Sequence, residues 1–529
     1  MLKKALWISA LASALAVITS STAVALAVVV KVSGPSPLSA CTSLDAIQSG
    51  RVFLDAEVEP FIGVNPANPA NWVTMWHQDR WSNGGAHGIG VGVTTTGGTT
   101  WTESTLPVSK CAPGTPASLQ YLRASDPWVS FGPDGTAYAS ALSFNQGSSA
   151  DPALGIWANA VAAVRSTNGG ATWDHAQPIP GSVFGTAQAF GDKNSTTANP
   201  VIAGTAYTVW DTLILATDRP DDNPHAQAYS GDAYFSKTTD GGITWSQAKV
   251  IIKTANRQQT IGNIIVVDPL HPNTLYDFAD LIVPPNTPFQ GTRSKAVLVV
   301  VKSTDGGNTW TAPKVIAPFN SLGVHDPNTC ESLRVGDGLE EVAIDPTTGK
   351  LYVVWESSTR YQKQLKQSSC AWDDEILLSS SSDGGATWTA PSVVHKLASG
   401  LPTFTPMVAV NGGRVAVTFY DNSNLLPGQT ANLPTDYWVK YSTDGGVTFG
   451  NAEHIAGSFD ARTAPVARGY FLGDYEGLMP SGAGFAAVFV MTNCVAPYPT
   501  SNPLCAPASS NLAPTTNTNP TDVFVALLT

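Results

Sequence analysis

The sequence predicts an all-β fold, a β-propeller of four-stranded blades, and the prediction depends on three observations. An eight-residue turn pattern recurs six times, and its third positions are residues 96, 168, 240, 305, 383 and 444. Short alternating or wholly apolar runs flank each copy, as strands do. No helical period of useful length follows the first thirty residues. A repeat of this length, carried by strands, is typical of a ring of blades.

Composition excludes several functional classes. Of the 529 residues, 43% are apolar and only 13% are charged, so the chain can bury a large core. The 47 glycines and 38 prolines indicate many turns. A formal net charge of −12 does not suit a nucleic-acid binder, which needs a basic surface to neutralise phosphates.

The chain begins like an exported protein. Lys3 and Lys4 precede an apolar run that ends at Val30, and Ala23-Val24-Ala25 or Ala25-Leu26-Ala27 offers a cleavage site. An uncleaved membrane anchor is the alternative. We therefore expect a signal peptide over residues 1–30, a linker over 31–50 and a single propeller over 51–529, in a secreted or cell-surface protein.

Export permits disulfides among the six cysteines, for which 15 pairings are possible. Proximity favours Cys494–Cys505, Cys330–Cys370 is plausible, and Cys41–Cys111 follows by elimination. Leu38-Ser39-Ala40-Cys41 resembles a lipoprotein attachment box, which the Cys41–Cys111 pair would argue against. The eight histidines form no zinc signature, so we expect no cofactor, with calcium left open.

The repeated turn has a local physical explanation. In its third copy it reads Thr238-Thr239-Asp240-Gly241-Gly242-Ile243-Thr244-Trp245. The Asp accepts hydrogen bonds from its own loop, the glycines accept positive φ, and the Trp covers the hairpin base. A structural role is therefore predicted for the third position of every copy, namely Thr96, Asn168, Asp240, Asp305, Asp383 and Asp444.

These copies resemble the Asp-box, or BNR, repeats of sialidases and related β-propellers. The resemblance implies that each turn lies between the third and fourth strands of a blade. Sialidases have six blades, whereas this sequence favours seven. Three more candidate strands follow the sixth turn, and Arg51–Leu54 is a spare strand that would close the ring with them. The ring is thus expected to close through strand 51–54 and C-terminal strands within 476–528. Six blades remain the alternative.

The resemblance also implies an active site on the face opposite the repeated turns. Charged residues that the sequence places there include Asp192 and Lys193, and the aromatic residues Trp81, Trp128 and Tyr361 could stack on sugars. The candidate catalytic residues are Tyr475, Glu341, Asp126 and Asp79. The candidate substrate-binding residues are Arg80, Arg123, Arg334, Arg360, Glu59 and Asp474.

Two of these positions match the sialidase pattern. Tyr475-Glu476-Gly477-Leu478 is similar to the context of the family's nucleophilic tyrosine, and Glu341 matches the glutamate that activates it. The family's three carboxylate-binding arginines are not evident, because Glu59, Glu356 and Thr405 stand where they are expected. Asp79 lies in the loop of the family's acid–base aspartate. Arginines from other loops could rebuild the clamp.

Three functions are therefore open. The first is an exported sialidase-superfamily glycoside hydrolase that acts on oligosaccharide or glycoconjugate sugars through a carboxylate pair or through Tyr475 with Glu341. The second is a non-catalytic propeller that binds glycan or protein. The third is a true sialidase with relocated arginines. The expected partner is carbohydrate and not nucleic acid, membrane contact is limited to an uncleaved leader, and we expect a monomer.

Overall fold

The computed structural model describes residues 27–146, 158–185, 189–214, 230–283, 296–321, 323–336, 339–358, 370, 372–398, 400–499, 501–505 and 519–529. Within them, seven four-stranded antiparallel units can be traced, here called blades 1 to 7. The first strand of the chain, β1 (Val28–Lys31), belongs to blade 7. The part of the predicted signal peptide before Ala27 lies outside the described residues.

Blades 1 to 3 follow in sequence order. Blade 1 consists of β2 (Val52–Val64), β3 (Trp72–Trp81), β4 (Ala86–Thr94) and β5 (Thr102–Leu106). Blade 2 consists of β6 (Arg123–Phe131), β7 (Ala137–Phe144), β8 (Asn159–Ser166) and β9 (Asp174–Pro178). Blade 3 consists of β10 (Ala189–Ala198), β11 (Ala206–Ile214), β12 (Ser230–Thr238) and β13 (Lys249–Ile252).

Blades 4 and 5 are separated by the first part of a small inserted sheet. Blade 4 consists of β14 (Gln259–Val267), β15 (Leu275–Ile282), β16 (Ala296–Ser303) and β17 (Lys314–Phe319). The insert contributes β18 (Val324–His325) and β19 (Ser332–Arg334). Blade 5 consists of β20 (Glu341–Ile344), β21 (Leu351–Ser357), β22 (Glu375–Ser381) and β23 (Ser392–His395).

The C-terminal part completes the ring. Blade 6 consists of β24 (Thr403–Asn411), β25 (Arg414–Asp421), β26 (Pro434–Ser442) and β27 (Glu453–Asp460). The strand β28 (Tyr470–Phe471) then pairs with β19 in the inserted sheet. Blade 7 consists of β29 (Gly477–Ser481), β30 (Gly484–Thr492), β31 (Thr521–Leu528) and, as its outer strand, β1. Short 3-10 turns cover Ser39–Ile47, Ala117–Leu119, Ala461–Thr463 and Pro503–Cys505.

The blades form a closed ring because successive inner strands contact one another. The inner strands β2, β6, β10, β14, β20, β24 and β29 follow in this order, and β29 contacts β2 again. Their apolar side chains, among them Phe61, Trp128, Ile264 and Met407, line the axis. The all-β propeller prediction is confirmed.

Two predictions about the N-terminal part were wrong, namely which strand closes the ring and where the apolar leader ends. Residues 51–54 do not close the ring, because Val52 pairs with Trp81 and Phe53 with Arg80 at the start of β2. The closing strand is β1, in which Val28 pairs with Leu527. Its apolar residues had been counted with the leader, so a leader ending at residue 30 would remove most of a blade-7 strand. Cleavage after Ala25 or Ala27 keeps that strand intact.

Residues 31–50 are not a free linker. The 3-10 turn Ser39–Ile47 is fixed to blade 1 by the Cys41–Cys111 disulfide and by Asp45, whose Oδ1 lies 2.8 Å from His87 Nε2. The other two predicted disulfides, Cys330–Cys370 and Cys494–Cys505, are also present, and no cysteine is free. Because its thiol is oxidised, Cys41 offers no lipid attachment site.

The six repeated turns lie on the face where the inner strands end. The Gly97 N–H donates to Ala70 in the loop between β2 and β3, and Gly241 and Gly306 make the same bond in their blades. Within the fifth turn, Asp383 accepts hydrogen bonds from the N–H of Thr387 at 2.8 Å and from its hydroxyl at 2.5 Å. Thr96 and Asn168 accept the equivalent N–H bonds. The predicted structural role is consistent with this geometry.

A polar side chain of each preceding blade fixes five of these turns. The acceptor is the carbonyl of the turn's first glycine. A side-chain nitrogen donates to this carbonyl at 2.7–3.2 Å in five pairs, which are, donor first, Asn71 and Gly169, Arg165 and Gly241, Lys237 and Gly306, Lys302 and Gly384, and Lys350 and Gly445. The turns therefore join neighbouring blades as well as closing their own hairpins.

Candidate functional site

A polar cavity of about 410 Å³ opens at the ends of the inner strands that lie away from the repeated turns. Its charged lining consists of Glu59, Asp126, Asp192, Asp474, Arg80, Lys193, Arg334 and Arg468. Apolar side chains from blades 2 to 4 form the opposite wall, including Phe144, Phe190, Leu213 and Ile261. The cavity thus combines four acidic and four basic side chains with an apolar surface.

The inner strands present these groups through bulges. The strand register shifts at Glu59 in β2, at Asp126 in β6 and at Lys193 in β10. All three have left-handed backbones, with φ of 52°, 50° and 44°. A residue other than glycine is strained in the left-handed region of backbone conformation, and strained residues of this kind are concentrated at functional sites. Gly262 and Thr405 occupy equivalent bulges in β14 and β24.

Lys193 lies at the centre of the carboxylates. Its Nζ is 2.7 Å from Asp474 Oδ2, 2.9 Å from Glu59 Oε1 and 3.7 Å from Asp126 Oδ1. Burial alone would lower the pKa of Lys193, but these three carboxylates outweigh it and raise the pKa. Lys193 is therefore a permanent cation in the floor of the cavity.

Arg334 and Asp474 form a bidentate ion pair. The Arg334 Nε and Nη2 donate to Asp474 at 3.1 and 2.6 Å. Burial would raise the pKa of Asp474, but Arg334 and Lys193 hold it well below its usual range. The guanidinium groups of Arg334 and Arg80 lie 4.5 and 4.7 Å from the centre of the Phe471 ring. The inserted sheet thus supplies one cation and the aromatic ring that separates it from Arg80.

Arg80 is almost fully buried and only partly satisfied. Its Nη1 donates to the Gly85 carbonyl at 2.6 Å, whereas its Nε has no hydrogen-bond partner in the described part of the chain. Burial, with the nearby Arg334, lowers the pKa of Arg80 to about 10. This buried N–H beside the cavity is a donor that a ligand could satisfy.

His77 connects Asp126 with Glu59. The Asp126 N–H donates to His77 Nε2 at 2.7 Å, and His77 Nδ1 lies 3.2 Å from Glu59 Oε2 without hydrogen-bond alignment. Burial, together with Arg80 and Lys193, lowers the pKa of His77 well below its usual value, so the ring is neutral. Because Nε2 accepts a bond, the ring proton lies on Nδ1.

The carboxyl groups differ in their affinity for protons. Burial raises the pKa of Asp126 to about 7, against the opposing effect of Lys193. Burial also raises the pKa of Glu59 and of Asp192. Asp474, in contrast, is ionised. Carboxyl groups whose environments separate their pKa values are the arrangement that acid–base chemistry uses.

Tyr475 and Glu341 lie below the cavity floor. Both line a small space of about 20 Å³ that also contacts Lys193 and Trp128. The Tyr475 hydroxyl donates to the Pro127 carbonyl at 3.3 Å, and burial raises the pKa of both side chains well above their usual values. The structure brings this pair close together without a hydrogen bond between them among the contacts of the described residues.

Asp79 and Arg123 lie outside the cavity lining. Asp79 accepts bonds from Ser36 Oγ at 2.8 Å and the Asp55 N–H at 2.7 Å, and it contacts His87. The Arg123 guanidinium lies within hydrogen-bond distance of five oxygen acceptors, from Gln48, Asn83, Gly84, Gln146 and Ser49. Both residues attach the N-terminal segment to the ring. Arg360 lies outside the described residues.

Two of the three proposed stacking residues already pack against other side chains, and the third, Tyr361, lies outside the described residues. Trp81 is covered by Arg123, whose guanidinium carbon lies 4.1 Å from the ring centre. Trp128 stacks on Phe61, with ring centres 3.6 Å apart. Of the charged residues that the sequence places on this face, the cavity collects Glu59, Arg80, Asp126, Asp192, Lys193, Arg334 and Asp474.

Sequence reasoning missed His77 and Arg468 and gave no role to Lys193. His77 lies on the second strand of its blade, where nothing in the local pattern marks it. Glu59-Pro60 and Asp126-Pro127 precede similar apolar runs in successive inner strands, whereas Lys193-Asn194 precedes the polar run Ser195–Thr197, so only its position in the strand relates Lys193 to the other two. Aligning the inner strands with one another would have identified the bulges.

One group in the described residues has the spacing of metal ligands. Single ligand atoms of Glu59, His77 and Asp126 all lie within 4.8 Å of one another. The Lys193 ammonium already contacts both carboxylates, so a metal ion would have to compete with a resident cation. Calcium prefers six to eight oxygen ligands, which this trio does not supply.

Comparisons with known proteins give similar folds and no sequence family. No family model and no curated protein matches the sequence. A protein of unknown function from Dyadobacter fermentans DSM 18053 is 13% identical over 78% of this chain and 98% of its own, with a TM-score of 0.44.

Two glycosidases are also similar in architecture. The Hadza microbial sialidase Hz136 is 15% identical over 80% of this chain and 72% of its own, with a TM-score of 0.39. The α-L-arabinanase of Penicillium chrysogenum is 12% identical over 70% of this chain and 94% of its own, with a TM-score of 0.40. Separately, no helix in the described ranges is long and apolar enough to cross a membrane.

Proposed function

We propose that the protein is a glycoside hydrolase that acts on oligosaccharide or glycoconjugate sugars, with Asp126 and Glu59 as its catalytic carboxyl groups. The supporting observation is their juxtaposition in the floor of the cavity, where one oxygen of each lies within 4.8 Å of the other. Carboxyl groups about 5 Å apart are typical of retaining glycosidases, whereas inverting enzymes leave room for a water molecule between them.

Asp126 is the better acid. With a pKa raised to about 7 by burial, it keeps its proton at mildly acidic pH and can donate it to the leaving glycosidic oxygen. Glu59 would attack the anomeric carbon as that bond breaks. Asp126 would then take a proton from the water molecule that displaces Glu59 and releases the sugar, which restores both groups.

The surrounding cations position these two groups. Lys193 contacts Glu59 directly and favours its carboxylate form, while Arg334 and Asp474 hold Lys193 in place. Arg80 adds a positive charge to the cavity lining, and its buried Nε is an unpartnered donor among the described residues. A substrate that occupies the cavity would therefore meet fixed donors on one side and the apolar wall on the other.

A sialidase-type mechanism remains a second proposal for the chemistry. It would use Tyr475 as nucleophile and Glu341 as its activating base, which lie close together below the floor. The raised pKa of each group opposes this role, because the tyrosine must lose its proton as it attacks. Arg80, Arg334 and Arg468 would serve as the relocated arginines.

A non-catalytic glycan-binding propeller is the alternative function. One observation favours it, since Lys193, Arg334 and Asp474 are already paired with one another and Glu59 already contacts Lys193. We further propose that the chain is exported as a monomer. The three disulfides favour an oxidising compartment.

The test is a screen of the purified protein against aryl glycosides, including a sialoside, beside binding to a glycan array. We expect hydrolysis of at least one glycoside, and we expect Asp126→Asn and Glu59→Gln to reduce kcat by about 10²–10⁴-fold. Tyr475→Phe and Glu341→Gln should retain activity if the carboxyl pair is the catalyst. Inactivity on every substrate with glycan binding retained would establish the binding function instead.

A further inference from the structure

Four buried carboxyl groups lie where blades 3, 4 and 5 meet, and the proposed reaction uses none of them. They are Asp211 on β11, Asp277 and Asp280 on β15, and Glu340 just before β20. Each is at most 4% exposed. Both carboxyl oxygens of Asp277 and Glu340, and Oδ1 of Asp280, are buried without a hydrogen-bond partner among the described residues.

The strand pattern places them between blades. Asp277 alternates with Leu275, Ala279 and Leu281, which pack in one cluster with Tyr207 and Val209 of blade 3. Asp211 follows Tyr207 and Val209 on the same side of β11, so it faces blade 4. Asp280 shares the other side of β15 with Phe278, whose cluster includes Leu351 of blade 5. The four groups therefore occupy two consecutive blade interfaces.

Among the described residues, the charged groups with the largest effect on these four carboxyls are acidic. The groups that act on them electrostatically are one another, Asp192 on β10 and Glu341 on β20. Burying several unpaired carboxylates together is very costly, so the groups remain neutral. Burial raises the pKa of Asp211 to about 8 and raises the pKa values of the other three well above their usual range.

Asp211 also connects the cluster to the candidate site. Its Oδ2 accepts the Gly262 N–H at 2.9 Å, and its Oδ1 accepts a bond from the Asn263 side chain. These residues form the bulge of β14. The Ser195 hydroxyl of the neighbouring inner strand donates to the Asn263 carbonyl at 2.7 Å, two residues beyond Lys193. A loosened cluster would thus disturb the strands that carry the cavity floor.

We propose that Asp211, Asp277, Asp280 and Glu340 form a pH-sensitive lock, in which protonated side chains allow blades 3 to 5 to pack together and proton loss loosens this side of the ring. The folded protein holds protons that the unfolded chain has lost above about pH 4. Folding therefore binds protons, and stability falls as pH rises. The loss of stability extends through the pKa that Asp211 has in the folded protein, about 8, and continues above it.

The first test is thermal unfolding of the whole protein from about pH 5 to about pH 9 at constant ionic strength. We expect the midpoint to fall as pH rises. Asp277→Asn and Glu340→Gln mimic the protonated side chains. Each should therefore reduce the decrease of the unfolding midpoint with pH and raise the midpoint at high pH. Asp383→Asn, on an exposed turn, is the matched control and should leave the slope unchanged.

A second measurement uses the wild-type protein alone. Unfolding it with urea in a weakly buffered solution at about pH 7 should release protons, which an indicator dye detects. A midpoint that rises or stays level across this pH range, or unfolding without proton release, would overturn the lock. Neither measurement depends on activity, so the lock and the proposed hydrolase stand or fall separately.

Discussion

The two faces of the ring differ in where their charged side chains find partners. On the turn face, each aspartate is exposed and is satisfied within a few residues of itself, as Thr387 satisfies Asp383. On the cavity face, the carboxylates are buried and are satisfied across blades, as Lys193 joins Glu59 and Asp474. Hydrogen bonds within a single turn can be repeated in every blade. Ion pairs between blades, in contrast, produce one asymmetric site.

The largest effect expected from this comparison is on stability. Lys193→Met leaves Glu59 and Asp474 without a shared cation, so we expect the free energy of unfolding to fall by about 3–5 kcal/mol. Arg165→Met removes a cation from the turn face, where its partner Asp174 is 54% exposed, together with the bond to the Gly241 carbonyl, and should cost about 2 kcal/mol or less. Urea unfolding measures both. Equal losses would show that the two faces do not differ as described.

The next effect is on the pH dependence of hydrolysis. Because Asp126 must be protonated to act as an acid, kcat/KM should fall about tenfold per pH unit above a pKa of about 7. Asp305→Asn, on the turn face, should keep the same profile. A profile that remains level to about pH 9 would exclude Asp126 as the acid.

The smallest effect is expected at a turn aspartate. Asp383→Asn reproduces the side chain that the second turn already carries as Asn168, which still accepts the Thr172 N–H at 3.0 Å. We therefore expect nearly unchanged thermal unfolding at neutral pH. The Thr387 hydroxyl and N–H lower the pKa of Asp383 to about 2, so the wild type should lose this contribution only in strong acid, below about pH 4. A large loss at neutral pH would mean that the charge itself is needed.

The same contrast explains what the sequence could predict. The turns were predictable because each one contains its own donors and acceptors, and the strands around them alternate regularly. Strand ends are hard to predict where a bulge interrupts the alternation, as at Glu59-Pro60 in β2. Closure by β1 was missed because Val28–Lys31 continues the apolar run of the leader.

The site was only partly predictable, for a physical reason. Glu59, Asp126 and Asp474 could be placed on the correct face by strand direction alone. Their grouping around Lys193 depends on backbone bulges and on contacts between residues as far apart as Glu59 and Asp474. Asp79 and Arg123 face the same way but are bound by the N-terminal segment, which had been interpreted as a linker.

The pairing of Val28 with Leu527 has a consequence for biosynthesis. Blade 7 cannot be assembled until β31 has left the ribosome, so the ring stays open while blades 1 to 6 are synthesised. Because β1 and β31 are antiparallel, Val28 lies beside Leu527. A short peptide that joins these two positions would give a circularly permuted protein that can be cut in another inter-blade loop.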